Sequence, residues 1–119
     1  MTRAGANNQL GSLGEETAAE FLVKKGYKLL GTNIVARFGE IDLLMQDGDV
    51  IVLVEVKTVS RSGAIDPVYR LDFRKRRVLS LLARMMEARY QQQNIRVDAV
   101  TLYWNEGSKP TITHYKNII

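Results

Sequence analysis

Cysteine is absent, histidine occurs once, at His114, and proline only twice in 119 residues. Without cysteine there is no disulfide, no thiolate zinc site and no thiol nucleophile. A lone histidine cannot by itself build a His-rich metal centre, and a serine or cysteine triad is equally disfavoured. Metal chemistry, if the chain performs any, must therefore use the hard oxygens of Asp and Glu, which suit magnesium, manganese or calcium. Long hydrophobic runs are missing too. None approaches the ~20 residues of a membrane-spanning helix, and Met1 to Leu10 is polar, without the apolar segment of a secretory leader. The expectation is a soluble, cytoplasmic protein with no membrane partner.

What is present is the make-up of one globular domain, 45% apolar and 25% charged. A chain of this length buries roughly two thirds of its unfolded surface and needs no covalent or metal staple. The formal charge of +4 and a pI near 9.5 permit a polyanionic partner without demonstrating one. Met1 to Gln9 is expected to fray as a flexible tail, leaving residues 10–119 as the domain.

A first helix is expected from Ser12, where Ser12 and Glu15 have capping-box spacing. Ala18, Ala19 and Leu22 carry its apolar stripe, and Lys24-Lys25-Gly26 supplies the stop. Tyr27–Ile34 reads as a strand weakened by Gly31. Glu40–Met45 and Asp49–Thr58 are two β-rich runs around Asp47-Gly48, a strong hairpin signal. With Asp47-Gly48 as the loop, Gln46 lies opposite Asp49 and Asp42 opposite Leu53. Ile41, Leu43 and Met45 then share an apolar face with Val54, Val52 and Val50. The other face is also apolar around Leu44, Ile51 and Leu53, so both sides are expected to be covered. After a loop from Arg61 to Arg70, Asp72 can cap a second helix whose buried stripe is Val78, Leu81, Leu82 and Met85. Ile95–Trp104 and Thr111–Tyr115 complete the strands. The order α-β-β-β-α-β plus a short last strand predicts a single α/β domain, a mixed central sheet flanked by helices.

One constellation carries chemistry. Glu55 and Lys57, two apart on a strand, project to one face, and Asp42 on the neighbouring strand falls on that same face. Two carboxylates in a covered sheet are costly unless a cation or a bound proton neutralises them. An Asp and a Glu-x-Lys facing each other are what metal-assisted phosphodiester hydrolysis requires, with the lysine able to orient water or stabilise developing negative charge.

Gly39-Glu40-Ile41-Asp42-Leu43 followed by Val54-Glu55-Val56-Lys57, with Gly14-Glu15 before them, resembles the PD-(D/E)xK nuclease superfamily. More closely it resembles the bacterial YraN family of predicted endonucleases, related to archaeal Holliday-junction resolvases. Gly26-Tyr27, Asn33, Lys75 and Arg96-x-Asp98 extend the match over about Gly14 to Val100. The resemblance implies a restriction-endonuclease-like core and a magnesium-dependent DNA endonuclease, with manganese as a substitute metal and branched or junction DNA as substrate. It implies that Asp42, Glu55 and the Val56 carbonyl ligate the metal, that Lys57 is the catalytic lysine, and that Glu15 reaches the site from the first helix. Thr32, Val59 and Val97 depart from the family's usual residues, which bears on substrate contacts and efficiency.

Each assignment has a plainer competitor. Glu15 fits equally as a helix cap, Asp42 as a strand-end carboxylate, and Glu55 with Lys57 as an exposed ion pair of small energetic weight. Glu40 reads as an outer or solvated charge and His114 as an ordinary strand-end histidine. Arg70, Arg74, Lys75 and Arg77 surround the start of the second helix, where cations oppose the helix dipole and an anionic ligand would relieve them. They are the candidates for DNA contact, with Arg61 and Arg37 as looser ones. Recognition is expected through backbone and shape, since no base-reading motif is visible. The rival function is a non-catalytic nucleic-acid-binding module on the same fold. A resolvase role would favour a symmetric homodimer.

Overall fold

A computed structural model describes residues 6–59, 73–104, 107 and 109–119. Two helices, α1 (Ala6–Lys24) and α2 (Phe73–Arg89), cover a five-stranded sheet of β1 (Lys28–Ala36), β2 (Gly39–Asp47), β3 (Val50–Val59), β4 (Asn94–Tyr103) and β5 (Thr111–Tyr115). Strand order in space follows the chain, β1-β2-β3-β4-β5. All neighbours are antiparallel except β3 and β4, which are parallel. The parallel pair demands a crossover, and α2 lies within it. This is the single-domain α/β fold with a mixed sheet that the pattern of elements predicts.

The sheet is buried on both faces because its central strands are apolar on both. Leu43, Met45, Val52, Val54, Val100 and Leu102 pack with Ala18, Leu22 and Tyr27 at the α1 side. Ile41, Leu44, Ile51, Leu53 and Val97 pack with Leu79, Leu82 and Met86 of α2. At ~25 cal/mol per Å² of apolar surface removed from water, these two layers are the main stabilising term.

α1 ends as its sequence predicts. Gly26, at φ 100, occupies the left-handed position, and the Gly26 and Tyr27 amides donate to the Val23 and Leu22 carbonyls at 2.9 and 3.0 Å. That is the doubly bonded glycine cap, completed by the packing of Tyr27 with Leu22 in one cluster. Its start differs from expectation. The helix begins at Ala6 rather than at Ser12, so Ser12 lies inside the helix instead of capping it.

The hairpin register also differs. Asp47 pairs with Val50 and Gln46 with Ile51, two residues away from the expected register. The loop is Gly48-Asp49, with Gly48 at φ 63. Glycine takes the first central position of the turn rather than the second, the other arrangement a two-residue hairpin permits. A slip of two residues keeps the side chains from Leu43 to Asp47 on their expected faces.

On α2 the buried residues are Leu79, Leu82 and Met86, while Val78 and Met85 are half-buried and Leu81 is exposed. Apolar residues occur in adjacent pairs along this helix, and packing against the sheet selected the neighbouring stripe. The expected cap Asp72 and the loop Arg61–Arg70 lie outside the described residues. Among the described residues, no helix is long and apolar enough to cross a membrane.

Candidate functional site

The β2–β3 ladder closes at Leu43 opposite Val54. One step further the register brings Asp42 opposite Glu55, and there the two strands part. In place of a ladder bond, the Val56 amide donates to Asp42 Oδ2 at 2.9 Å. Alternation along β2 breaks at the same point, since Ile41 belongs to the α2 cluster and Leu43 to the α1 cluster. Ile41 therefore does not share a face with Leu43, as unbroken alternation would require. Breaking the strand's alternation at Asp42 lets a residue of a covered sheet meet groups from both helical layers.

Two glycines let the helices close on this split. A Cβ at Gly14 of α1 would collide with the Thr58 side chain on β3, and a Cβ at Gly39 of β2 would collide with Val78 of α2. Both glycines are required by close approach, and through them α1 delivers Glu15 and α2 delivers Lys75.

Glu55 is 2% exposed. Its Oε2 lies 2.9 Å from Lys75 Nζ and 3.7 Å from Lys57 Nζ, yet this buried atom accepts no hydrogen bond of regular geometry. Asp42 has its carboxyl pushed up from 3.8 to about 8. Burial is the largest cause, followed by the hydrogen bond to Glu55 and the Glu55 charge. The Val56 amide pulls the other way, and the Glu15 charge adds a smaller upward push. Asp42 and Glu55 are thus within hydrogen-bond reach on one side of the sheet, and the pair holds a proton where a cation would serve.

The donor set fits a hard divalent ion. Magnesium is commonly held by one or two carboxylates and otherwise by water, and Asp42 and Glu55 offer two. A strand residue's N–H and C=O face the same neighbour, so the Val56 carbonyl faces the split, as its amide does. Among the described residues, no three His, Cys, Asp or Glu side chains converge into a ready-made cage. The site is a pair of carboxyls with a main-chain carbonyl beside them.

The other expected residues separate into groups. Glu15, half-buried within α1, is no helix cap and acts on Asp42 through its charge. Lys57 is on the face of Glu55 and 43% exposed. Lys75, a candidate for DNA contact, reaches Glu55 from the first turn of α2, its side chain 35% exposed. Arg74 and Arg77 are exposed on the first turns of α2, and Arg37 is exposed in the turn between β1 and β2. Arg61 and Arg70 lie outside the described residues.

A second polar cluster lies on the α1 side near the hairpin turn. Asp98, fully buried, receives Arg96 Nε at 2.8 Å, Arg96 Nη2 at 2.9 Å, His114 Nε2 at 2.8 Å and the Asn117 amide at 3.0 Å. Arg96 also reaches Tyr27 Oη at 2.8 Å and Asp47 Oδ2 at 3.2 Å. Lys25 Nζ donates to His114 Nδ1 at 2.8 Å, which leaves Nε2 carrying the proton given to Asp98. Burial alone would raise the Asp98 pKa, but the donors from His114, Arg96 and Asn117 outweigh it and hold the carboxyl below 3.8. This network ties the end of α1 to β2, β4, β5 and the segment after it. Its one sequence signal is Arg96-x-Asp98, two residues on one face of a strand, and His114 is its buried member rather than a plain strand-end residue.

Fold and site together define an α/β domain with a paired-carboxyl and lysine centre at the split end of a hairpin. The chain belongs to the Uncharacterised protein family UPF0102, whose sequence profile matches residues 14–102. It is similar to the UPF0102 protein of Trichlorobacter lovleyi, 37% identical over 98% of this chain and 95% of the relative. The Nocardia farcinica protein of the same name is 35% identical over 99% and 94%, and the Thermotoga petrophila one 51% identical over 59% and 63%.

Proposed function

We propose that this protein is a magnesium-dependent DNA endonuclease selective for branched or junction DNA. The observation that carries the reading is the meeting of Asp42 and Glu55 at the parted strands, with Lys57 and Lys75 on Glu55. A proton-sharing carboxyl pair in a covered sheet costs stability, and such sites are where function is found. Asp42, Glu55 and the Val56 carbonyl would hold magnesium, or manganese in its place, and the ion would supply Lewis acidity toward phosphate oxygens. Lys57, its side chain 43% exposed, positions water or a phosphate oxygen beside Glu55. Glu15 adds negative charge from α1, and the exposed Arg74 and Arg77 hold the DNA backbone.

One observation favours a second reading, a non-catalytic nucleic-acid-binding module. Lys75 Nζ at 2.9 Å already neutralises Glu55 without any metal. Single-stranded, duplex, flap and four-way-junction DNAs incubated with magnesium, manganese or chelator separate the two. The nuclease reading expects metal-dependent cleavage that disappears in Asp42→Ala, Glu55→Ala and Lys57→Ala while binding persists. Binding without cleavage on every substrate supports the module instead.

A further inference from the structure

α1 covers only part of the sheet. Among the described residues, the strand side chains buried with it come from β2, β3 and β4, and none from β1. Leu29 of β1 pairs with Met45, a member of that cluster, yet Leu29 itself is 42% exposed. Between α1 and β1 this leaves an apolar groove of about 430 Å³, lined by Glu16, Ala19, Glu20, Val23, Lys24 and Leu29. Val23 is 49% exposed on its helix side. Open apolar side chains along one continuous groove, rimmed by charge, mark an interaction face.

The charges on the rim say what fits it. Glu16 and Glu20 are one turn apart on α1, where like charges repel, and the exposed Lys24 and Lys28 follow them along the chain. Among the described residues, none of these four forms an ion pair. Lys25 beside them, by contrast, is bonded to His114. A surface that is acidic at one end, apolar in the middle and basic at the other is complementary to itself after a half-turn. We infer that a second copy of this chain docks in the groove about a two-fold axis beside Val23. Glu20 of each copy then meets Lys24 of the other, Glu16 faces the other's Lys28 end, and Val23 and Leu29 are covered. The contact is between faces and not a continuation of the sheet, although β1 is an edge strand. Lys28 at its start and the irregular ladder between Leu29 and Gly31 both discourage strand pairing along that edge.

Sedimentation equilibrium on the full chain tests this, because the axis predicts a charge swap. The unaltered protein dimerises with a roughly micromolar constant. Glu20→Lys or Lys24→Glu sets like charges opposite each other twice by symmetry and weakens association roughly tenfold or more. Val23→Asp, which places a charge at the apolar centre, weakens it as well. The double variant Glu20→Lys with Lys24→Glu restores the dimer, and this recovery separates a lost interface from a lost fold. A parent still monomeric at about 100 μM, a dimer that the single reversals leave unchanged, or a double variant that stays as weak as the singles overturns the inference. The inference does not rest on the nuclease reading: a dimer that cuts no DNA sinks that reading alone, and metal-dependent cleavage by a monomer sinks this interface alone.

Discussion

Replacing Asp42 by Asn should make the metal-free protein more stable at alkaline pH, although it removes a group placed at the centre of the site. Burial and the neighbouring Glu55 raise the Asp42 carboxyl from 3.8 to about 8. Between those values the folded chain keeps a proton that the unfolded chain has released, so stability falls as pH rises across the window. One such proton is worth 1.36 kcal/mol per pH unit. From roughly pH 5 to pH 8 the loss is therefore ~3–4 kcal/mol, a large share of the ~5–15 kcal/mol that holds a domain together. Asn is close to the same size, still accepts the Val56 amide through its oxygen, and has no charge to bury. Urea unfolding of the Asp42→Asn variant and the parent in chelator, at several pH values, should give curves that converge below about pH 4 and separate in favour of the variant as pH rises to 8. Magnesium added at the alkaline end should stabilise the parent and recover much of the deficit, because it binds the folded pair. It should do little for the variant. A parent whose stability is flat or rising from pH 5 to 8, or a variant less stable than the parent at pH 8, would refute the account of a destabilised carboxyl pair.

Asp98 has the opposite sign. Its carboxyl is held below 3.8, so its pairing stabilises the fold above that value and is lost as pH falls through the lowered one. Asp98→Ala would strip half-buried Arg96 of its closer carboxylate, leaving Asp47 at 3.2 Å, and take the acceptor from His114 and the Asn117 amide; it should cost ~3–5 kcal/mol in denaturant unfolding at neutral pH. Gly39→Ala should cost ~1–3 kcal/mol, because the added methyl meets Val78 and the helix must back away. The measurement is the midpoint shift, and an unchanged midpoint would mean that α2 does not need that close approach. Arg74→Ala combined with Arg77→Ala should weaken binding to every DNA form alike and flatten the slope of log K against log salt by about 0.9 for each phosphate no longer neutralised. A salt slope unchanged in the double variant removes these arginines from the interface.

The α1 stop shows local chemistry that survives folding: Gly26 is needed wherever a left-handed residue closes the helix, and the chain has one there. The two-sided apolar pattern of β2 and β3 likewise announced central strands. The pairing of Asp42 with Glu55 was legible in outline, because two carboxylates on one face of adjoining strands remain on that face under any even slip of register. What the linear chain could not settle were choices among local near-equivalents. A two-residue hairpin accepts glycine at either central position, and the turn that forms, with Gly48 at φ 63 in the first of them, fixes the register. The paired apolar residues of α2 allow neighbouring stripes, and contact with the sheet selected Leu79, Leu82 and Met86.

The amino-acid order therefore determined the elements, their faces and the acidic and basic residues available for chemistry, since these depend on neighbours a few positions apart. Only tertiary structure decided that the strands part at Asp42 and that Lys75 of α2 reaches Glu55. Each of those depends on how closely two helices approach a sheet, which is set by packing between segments distant along the chain.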